Sequence, residues 1–371
     1  MANRELTHIT GTFLIEAPAS FLNGSGIEQG EYENVTAPKH FRDSAGDVPY
    51  VSAQAWRRWL RNTIIQETGW KPSELRAVKT SAKGNVSQIA SELNPVEFAE
   101  DDLFGYMMAK SSKRKGGEEE EEEVEEGDEP EESERSKGRV KSVMRASPFS
   151  SSLLFSISRM KGLPKDDGFV HLKEGTPLPY STRFYNTHLQ AIFSLEYAKL
   201  GVFSNVGDRI ELDEQKVNVM IAEKKLDVQE DLGKRGRIYR MTDRKARKDR
   251  AQALLNSLVR LRGGAKQAQF ATDVSPKLLI VAGLSCGNPV FNQIFVVKDG
   301  DGSPELNIPK LREIVEDYHE RIVTPVYIGM RTGYLQNESD VRALDKTKVE
   351  DVLLTIDTPI EVAREVGDLL T

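Results

Sequence analysis

Apolar and polar positions alternate from Leu6 to Ile15, with Ile9, Phe13 and Ile15 on one side, which predicts a sheet strand with one buried face. From Pro18 to Pro49 the chain is polar and dense in Gly and Asn, and it reads as one long loop. Loops of that length often carry function. Helical spacing takes over from Ser52 to Gln66: at about 100° per residue, Trp56, Trp59, Leu60, Thr63 and Ile64 share a broad face. Ser52 stands at the cap position. Arg57 and Arg61 lie together at the edge of that face, one turn apart, with Arg58 further round.

Residues 71–110 read as a small helical insertion, with helices at Val86–Ala90 and Phe98–Met108. Residues 111–139 are low complexity, and their like charges and Gly and Pro residues predict a disordered surface linker. Phe149–Arg159 is serine-rich and apolar. Turn signals across Lys161–Thr182 (GLPKDDG, EGTPLP) predict a projecting hairpin or loop. Strand material follows in Arg183–Phe203, then a basic helix over Thr242–Arg262, a glycine-rich loop at Arg262–Lys266, and strands at Lys277–Leu284 and Val290–Val297. A helix spans Asn307–Ile322, and Thr358-Pro359-Ile360-Glu361 is a capping box that opens a last helix. Strand, helix, strands, helix, strands is the order of a ferredoxin-like α+β sandwich, the topology of RNA-recognition (RRM-like) domains, here with large insertions.

Charge changes the picture. The 371 residues carry a net charge of −7, yet 13 acidic residues lie in Glu118–Glu134; outside that tract 45 acidic residues face 51 Lys and Arg. The folded part is therefore mildly basic, which permits a nucleic-acid partner. No stretch approaches the roughly 18 apolar residues of a membrane span. A single cysteine, Cys286, leaves no disulfide framework, and the start of the chain has no signal-peptide pattern. The expectation is a cytoplasmic protein with no membrane partner. His8, His40, His171, His188 and His319 have no metal-ligand spacing, so no metal, cofactor or catalytic residue is expected.

Three segments carry candidate chemistry. Pro49–Arg61 joins a helix start, with its unbonded N–H groups and partial positive charge, to Ser52, Gln54, Arg57 and Arg61, a set that grips a sugar-phosphate spine without reading bases. An ordinary solvated amphipathic helix has the same residue types. Gly263, Gly264, Lys266 and Gln267 allow close backbone approach beside a cation, as does a simple turn. The basic stretch Lys234–Arg250 reads equally as a nucleic-acid groove or a solvated face.

Four stretches together resemble a known family: Gly11–Ile15 with Asn34–Arg42, Pro49–Arg61, Arg183–Gln190, and Gly263–Gln267 with Asp273–Pro276. The chain resembles the crRNA-binding backbone subunit of type I CRISPR Cascade complexes, the "Cas seven" family, in its type I-B DevR subgroup. The resemblance implies an RRM-like palm made by a single domain over residues 1–371. It would carry a fingers insertion at 67–146, with the acidic linker 111–139, and a thumb hairpin at 147–184. It implies a non-enzymatic scaffold whose copies polymerise along crRNA and leave its bases to pair with target DNA, beside the large, repeat-handle and crRNA-processing subunits of Cascade. Ser52, Gln54, Arg57 and Arg61 match the family's Ser-x-Gln-x-x-(Lys/Arg)-x-x-x-(Lys/Arg) pattern, with Arg58 beside them. Lys39, His40 and Arg42 fall in the loop of further basic contacts, and Gly263, Gly264, Lys266 and Gln267 in the RNA-facing loop. Met160 stands for the apolar wedge of the thumb. The alternative is a target-RNA endoribonuclease using a loop aspartate, Asp43 or Asp47.

The acidic tract is no part of that pattern. Deleting Gly117–Glu134 removes one large apolar residue, Val124, so the melting temperature is expected to stay within a few degrees in a thermal denaturation scan.

Overall fold

The computed structural model describes residues 5–27, 35–80, 86–108, 142–297 and 302–370. The acidic linker read at 111–139 lies outside the described residues. The chain is an α+β protein, the class its element order predicts, and it divides into two compact units: residues 1–72, 148–200 and 245–371, and residues 73–147 and 201–244.

The first unit is built on a long sheet. Its strands run, edge to edge, Lys348–Val349, Val352–Asp357, Val326–Met330, Leu278–Leu284, His8–Ser20, Tyr185–Glu196, Leu154–Ser156, Gly46–Val51 and His40–Asp43. Pairing is antiparallel except between Val326–Met330 and Val352–Asp357. The alternation read in Leu6–Ile15 is real, but both of its faces are buried. Phe13 points at Trp56 of the Ala53–Thr68 helix, with ring centroids 5.6 Å apart, while Leu14 joins a cluster with Ile280, Phe291, Ile294, Leu311 and Val315. The polar residues on Leu14's side disguise this second buried face. Thr10 and Thr12 are fully buried because their hydroxyls donate to the Phe193 and Ala191 carbonyls, and Gln190 Nε2 donates to Thr12. Such satisfaction removes the cost of burying them. Gly11 is required at the centre: a Cβ there would lie 2.7 Å from the Phe193 ring.

Among its described residues, the segment read as a loop from Pro18 to Pro49 holds the end of His8–Ser20, then Gly24–Ile27, Val35–Pro38, His40–Asp43 and the start of Gly46–Val51. Gly24–Ile27, Val35–Pro38 and His40–Asp43 are four residues long, too short for a period of two to show against Gly and Asn. Two join a separate sheet ordered Lys165–Val170, Leu178–Arg183, Val35–Pro38, Gly24–Ile27, and of the hairpin or loop expected at Lys161–Thr182 the structure has the hairpin. Phe149–Arg159 contributes the short strands Phe149–Ser151 and Leu154–Ser156. Of Val290–Val297 only Phe295–Val297 is a strand; Phe291 and Ile294 are core residues on irregular chain. The expected helices form at Lys245–Leu258, Ile308–Tyr318 and Pro359–Leu369, the last two capped by Asn307 and Thr358.

The second unit corrects two helix readings. Val86–Ala90 is a strand paired with Arg76–Thr80, and the helix within Phe98–Met108 stops at Phe104, where Gly105 with φ 69° turns the chain into the strand Tyr106–Met108. Its six-stranded sheet is ordered Leu226–Asp231, Gly236–Met241, Val202–Val206, Arg209–Ile210, Val143–Arg145, Tyr106–Met108. Arg145, on the strand next to the sheet's edge, is fully buried, ion-paired with Asp102 and, at 2.9 Å, with Glu211, its guanidinium 4.6 Å from the Phe203 ring centroid. Among the described residues no helix is long and apolar enough to cross a membrane.

Two carboxylates sharing one buried guanidinium make that residue hard to replace. Arg145→Met is expected to cost about 3–5 kcal/mol, because buried charge loses its counter-charge. Urea denaturation of the variant checks this.

Candidate nucleic-acid interface

The Ala53–Thr68 helix starts as its cap predicts: Ser52 has an extended backbone and its Oγ accepts the Ala55 N–H at 3.3 Å. Trp56, Leu60, Thr63 and Ile64 are buried and leave the arginines at the rim. Gln54 and Arg58 are exposed, while Ser52, Arg57 and Arg61 are half-buried. Arg57 donates to the Phe149 carbonyl at 2.9 Å and lies 5.7 Å from that ring's centroid. Burial, and then the like charge of Arg61, hold its pKa below the ordinary guanidinium value. Arg57 is thus partly a structural residue.

Trp59 is only half-buried, because its ring serves the glycine loop. A Cβ on Gly263 would fall inside the Trp59 ring, and one on Gly264, whose φ is 105°, would lie 2.6 Å from Leu22 Cδ2. Gln267 closes this loop on itself, its Nε2 donating to the Gly263 and Thr272 carbonyls. Lys266 Nζ donates to Thr36 Oγ1 at 3.0 Å and Thr182 Oγ1 at 2.8 Å, and stands 4.8 Å from the Phe21 ring centroid. Desolvation lowers its pKa. Hydroxyls and a ring polarise around this ammonium without neutralising it.

The structure brings Lys39, the helix start and the glycine loop together through residues that no sequence motif marks. Ala265 N–H donates to the Leu22 carbonyl at 2.9 Å, and Lys39 N–H to the Asn23 carbonyl at 2.7 Å. The Ser52 N–H donates to Asn23 Oδ1 at 3.0 Å. Phe21, Leu22 and Asn23 lie in the Gly- and Asn-rich stretch where no periodic signal singles them out, and their role emerges only once three distant segments meet.

Other candidates have different surroundings. Arg42 holds the buried Asp47 in a two-point ion pair, Nε to Oδ1 at 2.8 Å and a terminal nitrogen to Oδ2 at 3.1 Å, and this bond is the main reason the Asp47 pKa is lowered. Asp43 accepts the Ala45 N–H and pairs with Arg159 at 3.0 Å, and these, the N–H first, lower its pKa. Both carboxylates considered for RNA cleavage are therefore engaged in holding the His40–Val51 hairpin. His40 Nδ1 donates to the Pro38 carbonyl at 3.0 Å. Met160 is half-buried and exchanges two 2.9 Å main-chain bonds with Asp47. The hairpin beyond it carries apolar side chains that stand further in solvent: Phe169 is 63% exposed, Leu178 50% and Tyr180 41%. Cross-strand register puts Val170, Leu178 and Tyr180 on one face and Phe169 with Pro179 on the other.

The basic stretch Lys234–Arg250 resolves into local partners. Arg237 pairs with Asp231, Arg244 with Asp227 and Lys245 with Asp249; Arg247 stacks 4.6 Å from the Tyr197 centroid, and Lys248 reaches the Asp368 carbonyl. No acidic partner stands beside Lys39 or Arg58 among the described residues. Nor is any group of three or more His, Cys, Asp or Glu residues placed there to hold a metal ion. The loop's dependence on Trp59 has a direct consequence. Gly263→Ala is expected to destabilise by about 1–3 kcal/mol through overpacking, seen as a lowered melting temperature.

No family model matches the chain, and no curated protein matches it by sequence. Among solved structures, a chain of a "CRISPR RNA-guided surveillance complex, pre-nicking" superposes with a TM-score of 0.52 at 11% sequence identity, over 98% of this chain and 100% of that one. A chain of a "CRISPR RNA-guided surveillance complex" gives 0.46 at 11% identity with the same coverage. At this identity the first of these is a likeness of fold.

Proposed function

We propose that the protein is a crRNA-binding backbone subunit of a CRISPR RNA-guided surveillance complex of the Cascade kind. The observation that carries the reading is the convergence of three segments on Phe21–Asn23, with Lys39, Lys266 and, on the helix that starts there, Arg58 lying without carboxylate partners among the described residues. Cations left uncompensated around a helix start suit a polyanion, and main-chain amides with lysines and arginines hold a sugar-phosphate spine without sampling its bases. The fold likeness and the four sequence stretches support the same reading.

In this reading the RRM-like sheet is not the RNA platform. Its central polar residues Thr10, Thr12 and Gln190 are buried and bonded to one another or to main chain, so stacking of bases on the sheet is not expected. RNA lies instead along the helix start and the glycine loop, with the Lys165–Arg183 hairpin as thumb. The wedge moves from Met160 to the exposed hairpin side chains: Phe169 on one face would press against bases, and Val170, Leu178 and Tyr180 on the other would meet a neighbouring copy in a filament. Bases held this way stay open to pair with target DNA, while the protein supplies grip and geometry. With Asp43 and Asp47 both engaged, a scaffold is favoured over a ribonuclease.

Lys39→Glu with Arg58→Glu reverses two charges that support no other contact among the described residues. The double variant is expected to melt like the wild type and to bind single-stranded RNA more weakly. Its log K against log salt should be shallower by about 1.4, from about 0.7 per lost phosphate contact. Salt-dependent binding of a mixed-sequence RNA oligonucleotide measures this, and wild-type affinity and slope would put the grip elsewhere.

A further inference from the structure

We propose that Asn23 is a positioning and contact residue of the nucleic-acid grip, an inference that rests on the RNA-binding reading above. Its main-chain carbonyl fixes Lys39 and its side chain fixes Ser52, so one residue sets the loop cation against the helix start. The next residue back, Leu22, holds the glycine loop through Ala265. Hydrogen-bond chemistry decides which way the carboxamide faces. The Ser52 N–H is a donor, so only the oxygen of Asn23 can meet it. The NH2 group is turned the other way, and among the described residues it has no acceptor. The bond to Ser52 places the carboxamide at the start of the helix, where the partial positive charge favours an anion. In the proposed grip this half-buried donor bonds a phosphate oxygen of the RNA spine.

Asn23→Asp separates the two roles because it is isosteric. One carboxylate oxygen still accepts the Ser52 N–H, and negative charge at a helix start is tolerated. The outward donor becomes an anionic acceptor. With the full chain and a mixed-sequence single-stranded RNA oligonucleotide, the expected result is an unchanged melting temperature, affinity at least about 10-fold weaker at low salt, and a salt slope shallower by about 0.7. Asn23→Ala is expected to lower stability and affinity together. Two results would overturn the inference: Asn23→Asp binding with wild-type affinity and slope, or Asn23→Asp melting as low as Asn23→Ala, which would mean the oxygen is not the inward atom. The Lys39→Glu/Arg58→Glu pair run alongside tells the failures apart. If that pair loses RNA while Asn23→Asp does not, only the role of Asn23 falls; if both bind normally, the RNA-binding reading falls with it.

Discussion

Three separate segments carry the cations of the candidate interface, and hydrogen bonds to Leu22 and Asn23 join those segments. Lys39, the arginines of the Ala53–Thr68 helix and Lys266 come from three separate segments, so nothing in their own local structure keeps them together. The carbonyls of Leu22 and Asn23 and the Asn23 carboxamide supply that restraint. The contrast with Arg145 is informative: where a cation serves the fold alone, two carboxylates surround it. Lys266 has two hydroxyls and an aromatic ring instead, which orient an ammonium and leave its charge unspent.

The hairpin at Lys165–Arg183 shows the same separation between anchoring and exposure. Its roots are tied down. On the entry side Arg159 pairs with Asp43 and Met160 bonds the Asp47 main chain; on the exit side Ser181 and Thr182 pair with Val35 and Thr36. Beyond those ties both faces carry apolar side chains in solvent. An isolated two-stranded hairpin is marginal in water, and exposed apolar surface of this kind marks an interaction site. An RNA-bound filament would cover one face with bases and the other with protein.

Contiguous patterns several residues long make part of the fold legible in the amino-acid order. The Ala53–Thr68 helix, its Ser52 cap, the C-terminal capping box and the Leu278–Leu284 strand are of this kind. Turn residues mark the hairpin in the same way. Misreadings cluster where pattern and length fail together. Val35–Pro38 and His40–Asp43 are too short to show alternation, and Val86–Ala90 reads as helix although cross-strand pairing makes it a strand. Thr10, Thr12 and Gln190 look solvent-facing because their buried hydrogen bonds reach residues nearly 180 positions away.

Sequence alone settled the α+β class, the helix bearing the arginines, and the presence of a glycine loop with a lysine, since each depends on neighbours within a turn or a strand. Which of those cations stay uncompensated was decided by tertiary structure: Arg42 is paired with Asp47, Arg57 bends to the Phe149 carbonyl, and Lys39 and Lys266 have no carboxylate partner among the described residues. The choice of Asn23 as the joint between them was decided there too. Ion pairing and hydrogen bonding act through space over about 3 Å, and chain separation carries no record of which groups will meet at that distance.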